Sequence, residues 1–164
     1  VFWGDVGPDA LGDGSRGPRG YDEINLADGP GNYGWPYCIG FNLGYADYDF
    51  ATGRPGPRFS CDGFVPALMA YDYSTVGYLA LGSAFDDEGS IGGSFSRGFT
   101  GRTAIAGTVY PRGAAVGPAG LPAPFHGTLL MTEWTRDILA AVTVDEAGTL
   151  QSVRRMLPWE RFRR

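Results

Sequence analysis

A glycine or a proline occupies 39 of the 164 positions, 27 and 12 respectively, roughly double the ordinary share of about 12%. Proline removes a main-chain donor and glycine loses the most freedom on ordering, so neither sustains a helix interior. A chain punctuated this densely must be built from short extended runs joined by turns. Residues are 43% apolar, 14% aromatic and only 19% charged, so burial can offset ordering entropy and wholesale disorder is excluded. The expected fold class is all-β.

The most regular stretch is 103–157. Four β-rich runs, 103–110, 128–133, 138–144 and 150–157, are separated by a Gly/Pro/Ala connection at 111–127 and tight turns at 134–137 and 145–148. This predicts a four-stranded antiparallel meander, slightly longer than the ~40 to 50 residues of a propeller blade; a hairpin pair in a sandwich is the alternative. Residues 1–60 repeat the order less cleanly, with strands at 2–6 and 21–26 and an inner strand missing. Residues 61–102 read as a linking strand at 65–73 followed by a long insertion, Gly/Ser-rich and mobile over 84–101. Both ends break off in mid-pattern, with 158–164 starting a further connection, so the chain is expected to be a piece of a larger fold.

All thirteen basic residues are arginine, which excludes lysine as nucleophile, Schiff-base former or phosphate-loop cation. Residues 1–88 hold 13 acids against 4 arginines, and residues 89–164 hold 5 against 9. An acidic, Gly-rich first half suits a hard cation or a solvated loop and not a nucleic acid, which needs clustered positive charge. No apolar run approaches the roughly 18 to 20 residues that cross a bilayer, so no membrane span is expected. The start at Val1 lacks signal-peptide character, and any targeting segment is expected outside this chain.

Cys38 and Cys61 are too far apart for a CxxC redox pair and, with His126 the single histidine, too few for structural zinc. A disulfide in an oxidising compartment is the economical reading; two unrelated thiols in a reducing one are the alternative. Gly29-Pro30-Gly31-Asn32-Tyr33-Gly34 satisfies G-x-G-x-x-G, but Trp35-Pro36 follows where the dinucleotide fingerprint needs a helix, so it reads as a turn. His126 reads as a surface-turn histidine.

Asp5, Asp9, Asp13, Asp22 and Glu23 gather around two glycine turns, and Gly7 and Pro8 can each aim a carbonyl at a cation. Calcium takes such oxygen ligands, although the spacing is not that of an EF-hand; a solvated turn is the other reading. Arg102 and Arg136, each at a strand end, could grip an anionic ligand through bidentate bonds or form surface ion pairs.

Several strings carry a resemblance. Trp3-Gly4-Asp5-Val6-Gly7-Pro8, Tyr21-Asp22-Glu23-Ile24-Asn25, Asn32-Tyr33-Gly34-Trp35-Pro36, Gly101-Arg102-Thr103 and Glu133-Trp134-Thr135-Arg136 resemble the glucose/sorbosone dehydrogenase family, soluble sugar dehydrogenases that use pyrroloquinoline quinone. The resemblance covers most of the chain except about 62–100. It implies about two blades of a partial six-bladed β-propeller, four-stranded antiparallel sheets with long Gly/Pro-rich loops, since six blades need at least ~240 residues. It implies calcium on the Gly7 and Pro8 carbonyls, Asp22 near the ion or the sugar, and Arg102 and Arg136 facing the quinone. Partners would be a sugar, an external electron acceptor and the remaining blades, in a secreted or periplasmic protein. The family's catalytic base is a histidine from an earlier blade, which His126 does not match, so the chain alone is expected to be inactive. The competing expectations are a non-catalytic carbohydrate-binding or scaffolding propeller module and a metal-stapled structural domain.

Overall fold

Short strands divided by turns make up the fold. The computed structural model describes residues 1–72, 79–80, 103–113, 120–135 and 138–156. Over these residues the chain is all-β, with a single 3-10 turn at Ala123–Phe125 and no α-helix. β1 (Phe2–Asp5) and β2 (Asp22–Leu26) are followed by four small strands: β3 (Cys38–Ile39), β4 (Leu43–Gly44), β5 (Ala46–Asp49) and β6 (Arg54–Arg58). Then come β7 (Met69–Tyr71), β8 (Leu79–Ala80), β9 (Ala104–Val109), β10 (Leu129–Glu133), β11 (Ile138–Val144) and β12 (Leu150–Arg155). They form two four-stranded antiparallel sheets, β1-β2-β7-β8 and β12-β11-β10-β9, and two hairpins, β3-β4 and β5-β6. None of the described sheets closes on itself. Among the described residues no helix is long and apolar enough to cross a membrane.

The second sheet is the expected meander, and its alternation explains it. Leu129, Met131 and Glu133 of β10 point inward and pair with Val142, Ala140 and Ile138 of β11. The first sheet draws strands from beyond residue 60. β7 pairs with β2 through Asp22↔Tyr71 and Ile24↔Met69, and β8 completes the sheet. Among the described residues the first sheet thus has four strands, the third and fourth of them from residues 61–102. The chain leaves β2, builds the two hairpins, and returns. The Cys38–Cys61 disulfide, with Cα atoms 6.0 Å apart, fastens that excursion. Bridging 23 positions contributes about 3 kcal/mol by the chain-entropy model.

The core lies between the sheets. Ile24, Met69 and Tyr71 from the first meet Leu129, Met131, Ile138, Val142 and Val153 from the second, each large apolar side chain contributing roughly 1.5–3 kcal/mol. The edge strands β1 and β9 approach closely because position 4 carries no side chain: a Cβ on Gly4 would stand 2.4 Å from the Ala104 carbonyl oxygen.

Candidate functional site at one end of the two sheets

β2 is buried on both faces. Asp22 and Ile24 face the second sheet, and Glu23 and Asn25 lie on the other face of the strand. Three polar side chains in one buried strand require partners, and those partners organise one end of the molecule.

Asp22 is 0% exposed. Its Oδ1 accepts the Gly7 N–H at 3.0 Å and its Oδ2 accepts the Ala104 N–H at 2.7 Å. One carboxylate therefore ties the turn after β1 to the first residue of β9. Gly7 is buried in a passage that admits no side chain: a Cβ there would fall 1.9 Å from the Tyr21 carbonyl oxygen and 2.8 Å from Ile39 Cδ1. At the half-buried Pro8 the chain turns, its carbonyl accepting the Ala10 N–H at 2.7 Å. Arg19 anchors the returning limb of the 9–21 loop, its guanidinium 2.8 Å from Asp72 and its main-chain N–H on Asp13.

Glu133 occupies the equivalent place at the end of β10. It is 0% exposed and accepts the Tyr71 hydroxyl at 2.6 Å, the Thr103 N–H at 2.8 Å and the Thr135 N–H at 2.9 Å. The Thr103 and Thr135 hydroxyls lie 2.7 Å apart. Arg102 and Arg136 lie outside the described residues; their chain neighbours Thr103 and Thr135 share the Glu133 carboxylate. Gly7, Asp22, Thr103 and Thr135 thus stand at the same end of both sheets, as the registers Asp5↔Glu23 and Glu133↔Ala104 require.

In the sequence Glu23 is one acid among five. It is 2% exposed. Its carboxylate accepts the Asn25 side-chain amide at 3.1 Å and the Gly40 N–H, bracing β2 to the end of β3. Burial pushes its pKa up to about 7, with the neighbouring Asp5 and Asp22 charges adding to the rise, against the lowering effect of those two hydrogen bonds. The signal in the sequence was the D-E-I-N run itself, three polar residues around one apolar residue in a strand.

Among the described residues no three Asp, Glu, His or Cys side chains converge to hold a metal. The main-chain oxygens of Gly7 and Pro8 are of the donor type that calcium accepts, and the Pro8 oxygen already receives the Ala10 N–H. Asp22, enclosed, accepts the Gly7 and Ala104 N–H groups and so positions the Gly7 peptide. His126 is half-buried beside Tyr110, ring centroids 5.5 Å apart. No protein-family model, curated protein or solved structure matches the chain.

Proposed function

We propose that the chain is part of a secreted or periplasmic aldose dehydrogenase, a six-bladed β-propeller dependent on pyrroloquinoline quinone and calcium, of which the two four-stranded sheets are consecutive blades. The observation that supports this reading is convergence. The Gly7–Pro8 turn, Asp22 and the chain neighbours of Arg102 and Arg136, far apart in sequence, share one sheet end through the Asp22 and Glu133 carboxylates.

In this reading Gly7 and Pro8 supply two neutral oxygens to the cation, and the Asp22 carboxylate fixes the peptide that presents them. Arg102 and Arg136 supply positive charge for the quinone's carboxylates. Bound there, calcium and the quinone provide Lewis-acid polarisation and a two-electron acceptor for the hydride at C1 of the sugar. The base that takes the hydroxyl proton, the external electron acceptor and the other blades come from elsewhere.

Titrating the 164-residue chain calorimetrically with the quinone, with and without calcium, tests the reading. Quinone uptake that requires calcium is the expected result, with aldose-driven dye reduction confined to the parent protein. No uptake under either condition, together with no dye reduction by the parent loaded with both, would overturn it.

A further inference from the structure

The disulfide-fastened excursion and the 8–18 loop flank an open cleft of about 790 Å³, which includes Pro8 of the proposed cation turn at its edge and whose aromatic rings the proposed chemistry does not use. Its size is that of a small-molecule site. Six rings line it: Trp35, Tyr37, Tyr45, Tyr48, Phe50 and Phe59. Three of them are open to solvent, Trp35 at 57%, Tyr37 at 48% and Phe50 at 80%. A small domain gains nothing in stability from leaving three large rings in water on one concave face, and such a patch marks a binding surface.

Four of the rings are held in place. Tyr37 packs edge-on against Phe59 with centroids 4.6 Å apart, and Tyr48 against Phe50 at 5.1 Å. The Arg16 guanidinium stacks over Tyr48, 4.1 Å from the ring centroid, and reaches Phe50 at 5.3 Å. The two walls are joined by the Ala46 N–H donating to the Arg16 carbonyl at 2.8 Å, and the 14–17 turn is closed by paired bonds between Gly14 and Gly17. A site preorganised in this way loses little entropy when filled.

Polar groups decide the ligand class. Arg16, Asp9 and Asp47 stand at the same surface as the rings. A purely apolar ligand would desolvate these charges without compensation, and a polyanion would meet two carboxylates. A pyranose has a C–H face that stacks on an aromatic ring and a rim of hydroxyls that both donate and accept. We propose that this cleft is a saccharide-binding site, with Trp35 and Phe50 as stacking platforms and Arg16, Asp9 and Asp47 bonding the hydroxyl rim. Of the cleft's lining only Pro8 belongs to the proposed cation turn, so the stacking platforms act without calcium or quinone.

The test is titration of the full chain, with chelator present and no quinone, against cellotetraose, maltotetraose, mannotetraose and chitotetraose, followed by calorimetry and tryptophan fluorescence. Saturable binding of at least one is expected. Trp35→Ala and Phe50→Ala should each weaken it by about tenfold or more, while Leu11→Ala, exposed on the same loop but outside the cleft, leaves it unchanged. Thermal unfolding of each variant shows that the fold is retained. No saturation by any of the four up to about ten millimolar, equal affinity in both ring variants, or capture of a proline decapeptide in place of every sugar overturns the assignment. Chelation separates this result from that of the quinone titration.

Discussion

The Tyr71 hydroxyl donates to the Glu133 carboxylate across 2.6 Å, joining the third strand of one sheet to the second strand of the other through the centre of the fold. Both residues are fully buried, and Glu133 also gathers the Thr103 and Thr135 main-chain donors. A buried carboxylate with several donors is a strong local organiser, because each partner removed leaves part of the charge uncompensated.

Tyr71→Phe should therefore lower stability by about 1.5–3 kcal/mol, or roughly 4–10 °C in the unfolding midpoint for a chain of this size. Glu133→Gln should cost more, since it weakens three contacts at once. The double variant should lose less than the sum, because the two residues share one interaction. Urea titration of all four proteins measures the coupling; strict additivity would show that the hydroxyl and the carboxylate do not act together.

Asp22→Asn tests the brace that holds the candidate turn. An amide has one acceptor oxygen where the structure presents two main-chain donors, Gly7 and Ala104, so one N–H loses its partner. A loss of about 2–3 kcal/mol is expected. Amide exchange is the sharper readout: protection at Gly7 or Ala104 should fall while the Leu129 and Val142 amides in the β10–β11 ladder stay slow in the native state. Unchanged protection at both would contradict the assignment of Asp22 as the residue that positions the turn.

The second sheet was legible because period-two alternation in 128–144 and glycine-marked turns act over a few residues. The hairpins β3-β4 and β5-β6 were not, since strands of two to five residues broken by Gly and Pro show no period. The burial of Glu23 was hidden for a different reason. Alternation around Ile24 reveals one inward face of β2, whereas the covering of its other face depends on Gly40 folding back from 17 positions away. The aromatic cleft has no local signature either: its rings at 35, 37, 45, 48, 50 and 59 follow no spacing, and only the excursion's return brings them together. The resemblance implies only that Asp22 lies near the ion or the sugar; its role as a brace on Gly7 rests on hydrogen bonds that no local pattern encodes.

Replacing both Cys38 and Cys61 with serine opens the excursion in the unfolded and folded states alike. The unfolded chain gains the freedom of a 23-position loop, and stability should fall by about 3 kcal/mol. Chemical denaturation of the double variant against the oxidised parent checks it. A loss well under about 1 kcal/mol would mean that the hairpins restrain the unfolded chain without the bond.

Glu23 gives the chain a pH dependence of unusual sign for a carboxylate. In the unfolded state its proton leaves near pH 4.5, and in the folded state near pH 7, since burial raises the pKa. Between those values the folded protein holds a proton that the unfolded one has released, so stability falls as the pH rises through this window. The span corresponds to about 3 kcal/mol, lost in full above neutrality and absent below pH 4.5. Glu23→Gln removes the ionisation and keeps an acceptor for Gly40, so the variant should gain on the parent progressively from pH 5 to pH 8. Urea unfolding of both proteins across that range reads the difference directly. Parallel stability curves would show that the proton is already gone at pH 5 in the folded state, and that the hydrogen bonds from Asn25 and Gly40 outweigh the burial of the charge.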